Sequence, residues 1–221
     1  MNRIGRVDAP TRAGERHAST AADGVVEVLR GCAALLLAPG EVRPALSLPA
    51  AALLGVDDGF VAVRRTAPPA RRSVIVDDAS AGGVLLAPTP DEELVGLVPS
   101  RVRIVSPAAL DRLLSGSAGA HVISDALASA LRRREELIAS LSNARHVERV
   151  REKLLRLAYE YGKVDGRGVR IDLPLTHELL AEMVCSARET VTRAVDELER
   201  EGFVMREAGC YRVSVDPQRL V

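Results

Sequence analysis

The chain has 221 residues, 47% of them hydrophobic, so it can bury a core and is not a disordered tract. Lysine plus arginine total 30 and aspartate plus glutamate total 30, which excludes a uniformly basic nucleic-acid coat but leaves room for a local cluster of arginines. Aromatics are 2% with no tryptophan, so stacking platforms for single-stranded nucleic acid are excluded too.

Residues 1–22 carry charges with no apolar segment behind them, and are expected to form a flexible tail rather than a secretory signal. No later apolar run approaches the roughly 20 residues of a membrane-spanning helix. With no CxxC pair among Cys32, Cys185 and Cys210, a structural metal or an iron–sulfur cluster is not expected, and a reducing cytoplasm is.

A first folded unit is expected over residues 23–118. Short apolar runs at Val25–Leu29, Phe60–Arg65, Ser73–Asp78, Val84–Ala87 and Val102–Val105 alternate with turn signals such as Asp57-Asp58-Gly59, Pro68-Pro69 and Gly82-Gly83. That rhythm predicts strands in a β-sandwich or β-barrel. Residues 90–97 and 107–114 read as short helices, the second with Ser106 as N-cap and Pro107 in the first turn. Arg64, Arg65, Arg71 and Arg72 flank the Pro68-Pro69 turn, either as a solvated hairpin tip or as contacts for an anionic effector.

Residues 119–143 change character. Ile123, Leu127, Ala130, Leu137 and Leu141 recur at spacings of three and four, or seven where Arg134 interrupts them, which predicts a long helix with one apolar seam. Two partners fit that seam: the chain's own barrel, or a second copy in a coiled-coil dimer.

The last unit is expected over residues 144–221. A helix from Arg145 to Tyr161 stops at Gly162, and a turn-rich link and a short strand lead to Thr176. Thr176 is a good N-cap for THELLAEMV, and Cys185-Ser186 closes a turn into a second helix that buries Val191, Ala194, Val195 and Leu198 and ends at Gly202. Two short helices joined by a tight turn are a helix-turn-helix. The second helix offers Arg188, Glu189, Thr190, Thr192 and Arg193 near its start, where a recognition helix enters the major groove. Arginine can grip guanine through two acceptors, and glutamate can accept from cytosine. Strands at 203–206 and 211–215 form a wing. His177-Glu178 opens a zincin-like pattern, but Ala181 stands where a second histidine is needed, so metal catalysis is not expected.

From Leu154 to Val215 the sequence resembles the Crp–Fnr family of regulators, through LAYEYG, IDLPLTHELLAEMV and RETVTRAVDELEREG. The resemblance implies an α+β chain: an N-terminal β-barrel or jelly roll like a cyclic-nucleotide-binding domain, a dimerisation helix, and a C-terminal winged helix-turn-helix. It implies base contacts from Arg188, Glu189 and Arg193 to a TGTGA-like half-site in an inverted repeat, and phosphate contacts from Thr176, His177, Ser186 and Thr190. It also implies a homodimer on double-stranded DNA that works with RNA polymerase, with no enzyme activity. One departure is Val184-Cys185-Ser186-Ala187, where the family often has glycine at the turn. A second is the missing Gly-Glu-Leu cassette between Val84 and Val102, so cyclic AMP is not assigned. The input is then either an unidentified small-molecule or nucleotide effector, or none, with the barrel serving as a dimer or partner surface.

Overall fold

Eight strands build the first domain in the computed structural model, which describes residues 23–67, 72–142, 145–207 and 209–214. They are β1 (Ala33–Leu37), β2 (Val42–Pro44), β3 (Leu53–Asp58), β4 (Phe60–Ala67), β5 (Arg72–Ser80), β6 (Val84–Leu86), β7 (Glu92–Gly96) and β8 (Ser100–Val105). Two antiparallel sheets of order β1-β8-β3-β6 and β2-β7-β4-β5 result, which is a double-sheet jelly roll. Alternate residues point between the sheets, and Leu54, Val56, Val61, Val63, Leu94 and Val102 fill the interior.

Helices cover the outer face of the first sheet. Residues 23–29 (α1), α2 (Pro107–Ser115) and α3 (Ser117–Leu141) place Val25, Leu29, Ala109 and Ile123 against Leu53, Val84 and Val105. The segment Val25–Leu29, expected as a strand, is therefore helical: Val25 and Leu29 lie four apart on one buried face of the helix. Residues 92–96, expected within a helix, are β7. Pro90 and the acidic run resemble a helix start, but Glu92 turns back to accept from the Thr89 amide at 2.7 Å, and Leu94 and Val95 pair with β4. The helix at Pro107 forms as expected, with Ser106 Oγ accepting from the Ala109 amide.

Helix α3 splits the expected seam between two faces. Ile123 and Ala130 are 0% and 1% exposed and belong to the chain's own core, so they cannot meet a second copy. The exposed large apolar side chains of α3 are Leu131, Ile138 and Leu141, with 58% of Leu131 and 69% of Ile138 in solvent, while Leu127 and Leu137 are half-buried.

The second domain runs α4 (His146–Tyr161), β9 (Gly162–Asp165), β10 (Gly168–Ile171), α5 (His177–Met183), α6 (Arg188–Arg200), β11 (Val204–Glu207) and β12 (Cys210–Val213). The link after Gly162 is itself a hairpin, β9 with β10. The strand expected up to Thr176 ends at Ile171, because Pro174 follows before the next helix. The wing pairs β11 with β12 and joins β10, giving the order β11-β12-β10-β9. Val150, Leu154, Leu157, Leu180, Val195 and Leu198 form a core that runs on into Phe60, Ala62 and Ile75 on the outer face of the second jelly-roll sheet. Phe60 and Tyr161 meet edge to face, with centroids 5.4 Å apart. The expected tail over 1–22, the Pro68-Pro69 turn and the strand end at Val215 lie outside the described residues.

Candidate nucleic-acid interface

Helix α5 begins where its sequence says. Thr176 Oγ1 accepts from the Leu179 amide at 3.1 Å, and Glu178 sits in the first turn, where the helix dipole favours a negative charge. The turn after α5 brings Cys185 to φ +49°, the left-handed region that glycine occupies most easily. The departure seen in the sequence is thus a cysteine holding a glycine-like conformation. The Ser186 amide then donates to the Ala181 carbonyl at 2.9 Å, closing the turn.

Helix α6 starts at Arg188, with Ala187 as its N-cap and no side-chain cap bond. Arg188, Glu189 and Arg193 are exposed, and their side chains make no hydrogen bond or ion pair among the described residues. Val191, Ala194, Val195 and Leu198 hold the opposite face in the core, as the 3.6-residue period requires. Gly202, at φ +72°, ends the helix.

The four expected phosphate contacts fall in different environments. Thr176 is exposed, while His177 and Thr190 are half-buried. Ser186 is only 5% exposed, and its Oγ lies 3.0 Å from His146 Nδ1 on α4. That bond ties the turn to the start of α4. Burial, with Arg149 adding to it, pushes the pKa of His146 down. His177 is also pushed down, by burial first and then by Arg206.

The Crp-like helix-turn-helix domain family matches residues 148–221, which contain both helices and the wing. Residues 148–221 are a Crp-like helix-turn-helix domain.

Sequence relatives match part of the chain. The CRP-like cAMP-activated global transcriptional regulator of Mycobacterium tuberculosis is 34% identical over 94 residues, 42% of each chain. The global nitrogen regulator of Synechocystis sp. is 38% identical over 76 residues, 34% of this chain and 33% of that protein. The chain thus spans less than half the length of the curated relatives it matches. The fold likeness extends further. A CRP-family transcriptional regulator from Thermus thermophilus has a TM-score of 0.67 at 21% identity, over 84% of this chain and 94% of its own. FixK2 from Bradyrhizobium japonicum has 0.68 at 21%, over 86% and 95%. The c-di-GMP responsive regulator CLP of Xanthomonas campestris has 0.67 at 18%, over 88% and 100%. The chain therefore has the fold of CRP-family proteins from its jelly roll to its Crp-like domain.

The jelly roll side of that fold carries charges that the sequence left unassigned. Arg64 pairs with Glu93 at 2.6 Å and approaches Glu182 of α5 at 3.8 Å. Arg65 pairs with Asp91 at 3.1 Å and Glu92 at 2.9 Å. Both are thus paired with neighbouring carboxylates. Arg72 is exposed at the start of β5, and Arg71 lies outside the described residues. Arg103 pairs with Asp57 at 2.6 Å and is structural.

Sequence reasoning passed over a buried cluster. Asp77 accepts from Arg133 Nε at 3.3 Å and Arg134 Nε at 3.1 Å. Asp78 accepts from Lys153 Nζ at 2.5 Å and from Arg156 Nη2. Burial opposes the Asp78 charge, yet Lys153 and Arg156 outweigh it and hold its pKa at about 2. Burial pushes Asp77 up, with Arg133 and Arg134 opposing. Two carboxylates inside the apolar run SVIVDD, and the Arg134 that interrupts the α3 seam, were the signal. Among the described residues no helix is long and apolar enough to cross a membrane, and no cluster of His, Cys, Asp and Glu could hold a metal ion.

Proposed function

We propose that the chain is a sequence-specific transcription regulator that binds an inverted-repeat DNA operator as a homodimer. The observation that carries this reading is the exposed set Arg188, Glu189 and Arg193, without a partner among the described residues, on the first two turns of α6 within a Crp-like domain. Arg188 and Arg193 read guanine edges, and Glu189 accepts from cytosine. Thr176, His177 and Thr190 line the approach to phosphate. Two copies meet along Leu131, Ile138 and Leu141 of α3, which sets two recognition helices into successive major grooves. RNA polymerase is the protein partner, the cytoplasm the compartment, and no catalysis is involved. A gel shift on a TGTGA-containing inverted repeat at rising salt tests it. Affinity is expected to fall steeply with salt and to collapse on a scrambled duplex; equal binding to both duplexes overturns sequence-specific reading.

Control by an effector other than cyclic AMP fits the missing cassette and the likeness to the Xanthomonas regulator. The filled, apolar interior between the two sheets favours a second reading, in which the jelly roll takes no nucleotide and serves only as a dimer and interdomain surface. Calorimetric titration of the full chain with cyclic AMP and cyclic di-GMP separates them. Saturable heat with either sinks the second reading.

A further inference from the structure

Strand β5 carries two buried carboxylates in succession, and each serves a different helix. Asp77 pairs across the sheet with Val63, whose side chain fills the jelly-roll interior; Asp78 pairs with Ala62, which belongs to the core shared with the Crp-like domain. Successive residues on a strand point to opposite faces, so this division follows from the pleat. Asp77 takes two guanidinium groups from α3, Arg133 and Arg134. Asp78 takes Lys153 and Arg156 from α4, the first helix of the Crp-like domain.

The two grips are chained together. Asp77 Oδ1 accepts from the Asp78 amide at 2.9 Å, and Arg133 also donates to the Val84 carbonyl at 2.6 Å, fixing β6 to the same point. A small cavity lined by Ile75, Leu137, Lys153 and Met183 lies at the same junction. Apolar residues would close such a junction at no loss of stability, because desolvation offsets most of what a buried ion pair gains. What charges add is geometry: each pair holds only at one distance and orientation.

We propose that the Asp77–Asp78 step is a positioning device that holds the long helix α3 and the DNA-binding domain in one fixed relation, so that displacing either displaces the other. Its core is independent of DNA; only its operator readout rests on the function proposed above.

Hydrogen exchange on the full chain tests it. Asp78→Asn is expected to speed exchange in α4, α5 and β5 roughly tenfold, while β11 and β12 keep wild-type protection. Asp77→Asn is expected to loosen α3 beyond residue 131 and α4 as well, although Asp77 makes no bond to α4. Loosening confined to α3 in Asp77→Asn, or an unchanged α4 in Asp78→Asn, overturns the proposal. If Asp78→Asn fails to fold by circular dichroism, Lys153→Met replaces it, leaving Asp78 with Arg156; the same pattern at smaller amplitude is expected, and wild-type exchange in α4 overturns the proposal. On DNA, Asp77→Asn is expected to weaken a two-half-site operator about fivefold or more and leave a single half-site unchanged; an equal loss on both overturns the proposal. Wild-type protein that binds neither duplex removes the DNA reading, and the exchange result still decides the positioning device.

Discussion

His177 Nδ1 lies 2.9 Å from Thr192 Oγ1, and the same hydroxyl donates to the Arg188 carbonyl at 3.0 Å. The start of α5 is thereby tied to the first turns of α6, where the proposed base-reading side chains stand. His177→Ala removes one hydrogen bond, worth about 1 kcal/mol. A melting temperature lower by about 2–4 °C is expected, with a several-fold loss of operator affinity. A melt and a gel shift on one preparation check both, and wild-type values in each would show that the brace contributes nothing.

Arg188→Ala and Arg193→Ala separate binding from folding. Both side chains are exposed and without a partner among the described residues, so stability is expected to stay within about 0.5 kcal/mol of wild type. Operator affinity is expected to fall by about 1–3 kcal/mol, with specificity relaxed at one base pair per half-site. Arg206 offers the contrast, since it is engaged by Asp196 at 2.9 Å and by Glu199. Equilibrium binding across single-base operator variants reads the difference.

The two faces of α3 predict opposite phenotypes. Ile138→Glu puts a charge on the exposed face, and is expected to leave the monomer's fold intact while shifting sedimentation to the monomer. Ile123→Ala empties a buried site, and is expected to cost about 2–5 kcal/mol. A dimer that persists in Ile138→Glu would place the interface elsewhere.

Acid unfolding reports on Asp78. Its folded pKa, about 2, lies below the ordinary aspartate value of 3.8, so the unfolded chain binds the proton first. The stabilisation is present above about pH 4 and is lost as pH falls through about 2; integrated, it amounts to about 2 kcal/mol. Asp78→Asn is expected to lose that component of the pH dependence. Identical acid curves for the variant and the wild type would remove the ion pairs as its source.

The Crp-like domain was legible because its signals are local. Thr176, Gly202 and the apolar spacing Val191, Ala194, Val195, Leu198 each specify structure within a turn or two. The helix over 23–29 was not, since five apolar-rich residues fit either period and only packing under α3 decides. The α3 seam was read as a single face for a related reason. A heptad count selects apolar residues without saying whether a helix has one partner or two, and here Ile123 and Ala130 face the jelly roll while Leu131 and Ile138 face away. β5 shows a third limit. Val76 is an extra residue opposite β4, so Ile75 and Asp78 share a face although three positions apart, and simple alternation would have put Asp78 on the wrong side. Ser186 reads as a surface residue in the sequence and is buried in the structure, where its Oγ lies beside His146, forty residues away.

The chain has two lysines, and the fold treats them oppositely. Lys163 stands in solvent, while Lys153 is enclosed against Asp78. An acylating reagent used sparingly on the native protein will therefore mark Lys163 and spare Lys153. Modification of Lys153 becomes a chemical reporter for separation of the jelly roll from the Crp-like domain, readable by peptide mass without any label being engineered in.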